Sequence, residues 1–261
     1  ILGAQSTNDT KTIIVTGAGS GIGRAIALRF AEDGYAIACA DIDGASAEKT
    51  AEMIGRRGSA IALRCDITQE ASVAEMVSET ISWAGRIDCV AANAGAMVEG
   101  GILSLSLDDW HRAINTNATG AFLTARAVLP HLQRQKGNLV FTCSTVALAG
   151  MKGVTAYSAA KGAIAAMTRQ LAADFAADGV RVNAVAPGAV RTPLSESQFR
   201  SRAKDEAEFE ELLSQVIQRY PLQRWGTPEE IADMVHMLGT DRSSWVTGQI
   251  LPVDGGLLEL R

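Results

Sequence analysis

The feature that most restricts what this chain can become is Thr16-Gly-Ala-Gly-Ser-Gly-Ile-Gly23, set between the apolar run Ile13-Ile14-Val15 and a helix-like stretch from Arg24 to Phe30. A strand feeding a glycine-rich turn that opens a helix is the layout by which doubly wound α/β sheets hold a dinucleotide. Glycine lets the backbone turn tightly and approach a pyrophosphate, whose charge meets the free amides of the helix N-terminus. The glycines that set the spacing are Gly17, Gly21 and Gly23, with Ser20 between the first two. Ile22 stands where G-x-G-x-x-G would need its last glycine, and no Lys-Ser/Thr pair follows, so the turn is not a P-loop.

The rest of the chain repeats the same alternation. Apolar runs at 12–16, 36–40, 60–65, 87–92, 138–143, 180–186 and 248–253 are separated by helical patterns at 23–33, 45–56, 70–84, 108–135, 156–177 and 228–239. Alternation of this kind predicts right-handed βαβ units: a Rossmann-like, doubly wound parallel sheet of about seven strands with helices on both faces. No linker or repeat interrupts it, so 11–261 reads as one domain and the polar stretch 1–10 as a flexible terminus. The segment 194–220 departs from the pattern. It is rich in charge, and its Phe199, Phe209, Leu212, Leu213, Val216 and Ile217 are spaced as on amphipathic helices.

Composition narrows the function. Of 261 residues 47 % are apolar, enough for a large core, and the formal net charge of −5 does not suit a nucleic-acid or anionic-membrane surface. No apolar run reaches the roughly 18 residues needed to span a bilayer, and a cytoplasmic enzyme is the expectation. Cys39, Cys65, Cys89 and Cys143 fall in predicted strands without C-x-x-C spacing, which predicts buried thiols and no metal site, with Cys143 the one to watch beside Ser144. His111, His131 and His236 sit in helix-like segments away from every motif and read as surface or packing residues.

A second motif supplies chemistry. Tyr157 and Lys161 lie four apart in Thr155-Ala-Tyr-Ser-Ala-Ala-Lys161. On a helix that spacing places both side chains on one face. A free phenol titrates near about 10, too high for proton exchange at neutral pH. A lysine cation about 5 Å away, at an effective dielectric near 20, would stabilise the phenolate by roughly 3 kcal/mol. That is about two pKa units, and makes tyrosine a usable general acid and base. Such a pair also occurs on ordinary helix surfaces; it gains weight from the glycine turn upstream.

Together these motifs resemble the short-chain dehydrogenase/reductase family, from about Lys11 to Gly256. Further matches fall in the family's order: Asn93-Ala94-Gly95 after a strand, Asn117 in Asn115-Thr-Asn-Ala-Thr-Gly-Ala-Phe122, Ser144 thirteen residues before Tyr157, Pro187-Gly188 opening a run to Pro193, and Val246 to Gly256 closing the chain. The resemblance implies hydride transfer between a nicotinamide and a carbinol carbon. Tyr157 would move the hydroxyl proton, Lys161 would lower its pKa and bind the nicotinamide ribose, and Ser144 would donate to the substrate oxygen. Asn117, with Asn115 as the alternative two residues away, would hold a water linking Lys161 to solvent. Asp66 and Ile67 would meet adenine, Asn93 and Gly95 would line the floor, and Val190 and Thr192, after Pro187 and Gly188, would hold the carboxamide. The segment 194–220 would be the substrate lid, with a solvated helical excursion as the alternative, and the assembly a homotetramer built through 108–135, 156–177 and the C-terminal elements.

Asp41 bears on cofactor choice. It ends the second predicted strand about twenty residues after the glycine turn, where a carboxylate bonds the adenosine ribose of NAD and repels the extra phosphate of NADP. Ile42 and Ser20 occupy positions where a base would favour NADP, while Arg24 is read as a residue that can face solvent. NAD is the expected cofactor. Candidate substrate contacts are Met97, Val146, Leu148, Met151, Val154, Leu194 and Phe199, an apolar set suited to a secondary alcohol or ketone, although polar lid partners could equally orient a polyol or sugar. The segment Pro221 to Ala232 also resembles 3-oxoacyl-carrier-protein reductases, which use NADPH. A third reading is an NAD(H)-sensing protein without turnover; such a protein would be expected to lack Ser144, Tyr157 or Lys161.

Overall fold

The structure, a computed structural model, describes residues 10–55, 58–200 and 202–260. Apart from Thr10, the stretch expected to be a flexible terminus lies outside the described residues. Among the described residues the strands β1 (Thr12–Thr16), β2 (Ala36–Asp41), β3 (Ser59–Arg64), β4 (Cys89–Ala92), β5 (Asn138–Thr142), β6 (Arg181–Pro187) and β7 (Ile250–Val253) form one sheet, ordered β3-β2-β1-β4-β5-β6-β7. Every pairing is parallel. The chain winds outward from β1 to β3, then returns to the other side of β1 at β4. The crevice above that reversal, at the strands' carboxyl ends, is where such sheets bind ligands.

Burial explains the apolar runs. All five residues of β1 and of β5 are buried, as strands covered on both faces must be. Alternate side chains serve opposite faces. Ile14, Val90, Leu139 and Phe141 belong to one core. Ile13, Val15, Cys39 and Val140 belong to the other. The helices α1 (Gly21–Glu32), α2 (Gly44–Gly55) and α9 (Pro228–Gly239) cover the second core, and α3 (Glu70–Ala84), α5 (Gly120–Gln135) and α6 (Thr155–Phe175) the first. No helix among the described residues is long and apolar enough to cross a membrane.

The helix expected at 108–135 is not continuous. It divides into α4 (Leu107–Ala113) and α5, joined by a wide π-helical turn over Ile114–Thr119. Asn117 accounts for the widening. Its side-chain amide donates to the Ala113 carbonyl four residues back at 3.0 Å and to the Ala96 carbonyl at 2.9 Å, competing with the helix's own ladder.

The 194–220 segment forms two helices, α7 (Pro193–Arg200) and α8 (Glu206–Ile217). Asp205 caps α8 by accepting from the Glu208 amide at 2.9 Å, and Phe209 and Leu213 are its buried anchors. Arg202, which follows α7, reaches back to Glu99 in the loop after β4 and ties the two regions together.

Candidate active site

The glycine turn has the shape its sequence requires. Gly17 and Gly21 take φ of +68° and +50°, and a Cβ on Gly23 would lie 1.9 Å from the Gly17 carbonyl oxygen. Helix α1 opens there with no acidic residue in its first turn, and its N-cap Ser20 is extended with its hydroxyl uncommitted to a cap. First-turn amides lack partners within a helix, so the turn offers donors, space and partial positive charge to a pyrophosphate. The residues present fit a dinucleotide on that observation. Ile22 packs against the second core, fixing the helix that presents these amides.

Asp41 closes one side of this cradle. One carboxylate oxygen accepts from the Gly19 amide at 2.8 Å and the other from the Asp43 amide at 3.0 Å, while Ile42 is 61 % exposed. Arg24 departs from the solvent-facing reading. Its guanidinium lies under the turn, bonded to Thr50 Oγ1 at 3.0 Å and to the Gly19 carbonyl. Asp66 uses one oxygen to accept from the Thr68 amide and hydroxyl, at 2.9 and 2.8 Å. The Ile67 side chain is in the core, against Gly120, so toward the cleft this residue has only its backbone.

Beyond β4, Asn93 knits the floor. Its amide group donates to the Thr16 carbonyl at 3.1 Å, its backbone N–H donates to the Thr16 hydroxyl at 3.0 Å, and the Thr142 hydroxyl donates to its Oδ1 at 3.1 Å. Gly95 allows close approach: a Cβ there would stand 2.6 Å from Asn117 Oδ1 and 3.4 Å from the Lys161 ammonium. Asn117 is fully buried, and its Oδ1 accepts from the Ala96 amide at 3.2 Å. The Asn117 side chain is therefore engaged by the backbone of Ala96 and Ala113.

Ser144, Tyr157 and Lys161 meet where β5 ends and α6 begins. Burial pushes Tyr157 up to about 12, against the opposing influence of the neighbouring Ser144 hydroxyl, which itself accepts from the Val146 amide at 3.4 Å. Lys161 is 3 % exposed, its ammonium donates to the Thr142 carbonyl at 2.8 Å, and burial pushes it down to about 8. The sequence argument expected the lysine to hold the phenol below its ordinary value. Desolvation wins instead, and the ammonium spends its bond on Thr142 while standing 5.6 Å from the tyrosine ring centre. Thr142 was not singled out from sequence; a polar residue closing an apolar strand was its only signal.

The loop after β6 crosses the same crevice. Gly188 donates to the Val253 carbonyl at 3.0 Å, and Ala189 and Arg191 exchange backbone bonds with Gly226 at 2.9 and 3.0 Å. Thr192 Oγ1 accepts from the Ser195 amide at 3.1 Å, at the start of α7, and its side chain faces Gly21. Of the substrate candidates, Val146 and Val154 are buried and offer little surface. Met97 and Phe199 are half-buried, the latter edge-on to Trp225, while Leu148, Met151 and Leu194 are exposed.

The cysteines are all free and buried. Burial pushes Cys65 up to about 11, Cys39 up to about 12, and Cys89 and Cys143 upward as well, away from reactive thiolates. His236 is a packing residue, 1 % exposed and edge-on to Phe30. Among the described residues no cluster of His, Cys, Asp and Glu could hold a metal ion.

A family model described as enoyl-(acyl carrier protein) reductase matches residues 17–258. The chain is 36 % identical over 248 residues to meso-2,3-butanediol dehydrogenase of Serratia marcescens, covering 95 % of this chain and 94 % of that protein. It is 34 % identical over 250 residues to the 3-oxoacyl-acyl-carrier-protein reductase FabG of Thermotoga maritima, covering 95 % and 98 %. Among solved structures it superposes on a short-chain type dehydrogenase/reductase from Mycobacterium marinum with a TM-score of 0.87 at 32 % identity, covering 95 % and 96 %. With this sheet, this strand-end site and likeness along nearly its whole length, the chain belongs to the short-chain dehydrogenase/reductase family of oxidoreductases.

Proposed function

We propose that this oxidoreductase is an NAD-dependent dehydrogenase and ketone reductase acting on a small secondary alcohol or ketone, with Tyr157 as general acid and base. The observation that carries the reading is Tyr157 beside Ser144, with the buried Lys161 ammonium 5.6 Å from the tyrosine ring centre. When bound, the nicotinamide supplies the acceptor or donor of hydride. Tyr157 takes the proton from the alcohol or returns it to the ketone oxygen. Ser144 donates to that oxygen and stabilises developing alkoxide charge. Lys161, pushed down to about 8, stays cationic at neutral pH, favours phenolate during the transfer and binds the nicotinamide ribose. Asn117 serves a proton relay through its main chain, since its side chain is engaged.

Gly17, Ser20, Gly21, Ile22 and Gly23 would hold the pyrophosphate and Asp41 the adenosine ribose. Asp66 and the Ile67 backbone would meet adenine, Asn93 and Gly95 would form the floor, and Pro187, Gly188, Val190 and Thr192 would take the nicotinamide end. Asp41 beside exposed Ile42 supports NAD over NADP. We take 11–261 as one catalytic domain with 194–220 as its lid. The enzyme would work as a homotetramer, to which exposed Leu107 and Phe122 on α4 and α5 lend support, and in the cytoplasm, where four free thiols are at home.

The likeness to FabG keeps a carrier-protein reductase as the second reading. Exposed Glu206, Glu210 and Glu211 on α8 make the lid a poor landing surface for an acidic carrier. Fluorescence titration of NADH and NADPH, followed by a panel of secondary alcohols and ketones, tests the proposal. Tighter NADH binding with turnover of an alcohol is expected. Tighter NADPH binding with turnover of a 3-oxoacyl thioester would install the second reading, and binding without any turnover would make the protein a cofactor sensor.

A further inference from the structure

The loop from Pro187 to Thr192 is held from three directions, and one of the holders has no place in the chemistry so far. From below, Gly188 donates to the Val253 carbonyl at 3.0 Å, and a Cβ on Gly188 would come within 2.9 Å of Asp254 Cα. From one side Gly226 pairs with Ala189 and Arg191 as a short parallel bridge. From the other side stands Tyr220. The same Cβ on Gly188 would lie 2.8 Å from the Tyr220 ring, whose hydroxyl end is turned toward the Ala189 backbone N–H. Gly188 therefore permits the ring to pack against the backbone.

Tyr220 also terminates the segment that carries α7 and α8. Its amide donates to the Ile217 carbonyl at the end of α8 at 2.9 Å, and its carbonyl accepts from the Gln223 amide at 2.8 Å. Two residues on, Leu222 donates to the Gly255 carbonyl at 3.2 Å. The ring is thus rooted in the turn that anchors the lid, while its hydroxyl sits on the loop.

We infer that Tyr220 is a positioning residue that sets the Gly188-Ala189 backbone, and through it the grip on the nicotinamide half of the cofactor. The inference rests on the reading that this loop meets the nicotinamide end. It predicts an effect confined to that half, because no hydrogen bond among the described residues joins Tyr220 to the glycine turn or to Asp41, which face the other half.

The experiment compares NADH with ADP-ribose, which has the adenosine and pyrophosphate but no nicotinamide, binding to wild type, Tyr220→Leu and Tyr220→Phe. Leucine removes the ring that packs on Gly188, and phenylalanine keeps it. Wild type should bind NADH more tightly than ADP-ribose. Tyr220→Leu should lose about tenfold in NADH affinity with ADP-ribose affinity unchanged, and Tyr220→Phe should bind both as wild type does. Equal losses for both ligands, or no loss for either, in the Tyr220→Leu protein would overturn the positioning role, as would a Tyr220→Phe protein equally impaired. A wild type that does not distinguish the two ligands would instead sink the reading of the loop itself, and the proposal with it.

Discussion

The Lys161 ammonium donates to the Thr142 carbonyl at 2.8 Å, and through the Thr142 hydroxyl this strand end is joined to Asn93 and so to Thr16 at the top of β1. Lys161 is thereby referenced to the same strand that carries the glycine turn. The halves of the site proposed to handle the proton and to bind the cofactor share one floor.

Lys161 should leave a signature in the pH dependence of stability. Burial brings it from an ordinary 10.5 to about 8, so the folded protein releases this proton before the unfolded chain does. Between those limits the unfolded state binds more protons, and stability from this group rises with pH. Urea unfolding of wild type and Lys161→Met should show the wild type gaining roughly 3 kcal/mol on the variant from pH 8 to 10.5. Cys39, Cys65 and Cys89, whose shifts do not involve this lysine, titrate in both proteins and cancel in the difference. A flat difference across that window would mean the lysine is not held in a desolvated site.

Ser144→Ala should cost about 3 kcal/mol in turnover, as expected for one lost oxyanion donor. The measurement is kcat and KM for an alcohol accepted by the wild type. A change confined to KM would reduce Ser144 to a substrate-binding group.

Asp41 should govern the choice between cofactors. Replacing it by Ala with Ile42→Arg removes a carboxylate and adds a planar cation suited to phosphate. Affinities measured by titration should shift toward NADP by about a hundredfold, near 3 kcal/mol, with turnover at saturating cofactor little changed. A wild type that already prefers NADPH would take the selectivity away from Asp41. Arg24 is then the first residue to test, since its guanidinium already lies beside Gly19.

Much of this was legible because it is local. The fully buried run of β1 and the positive φ of Gly17 and Gly21 follow from short stretches whose residues allow little else. The Tyr157–Lys161 pair was legible for the same reason. What escaped depends on partners distant in sequence. The π-turn arises because Asn117 finds Ala96, 21 residues away, and the amphipathic pattern on either side of it gives no sign of the break. Arg24 turns inward because Thr50, 26 residues on, offers an acceptor. The high pKa of Tyr157 follows from the depth of the cleft, which spacing on a helix does not encode.

The central claim is that Tyr157 moves the proton while the other residues of the cleft bind and orient. Tyr157→Phe keeps the ring and removes the hydroxyl, so it isolates that step. Wild type and variant should be compared for NADH binding by fluorescence and for turnover of the same secondary alcohol with NAD, followed by the appearance of reduced nicotinamide. Binding should survive in the variant while turnover falls at least about a hundredfold. A variant that binds NADH and turns over at close to the wild-type rate would contradict the account.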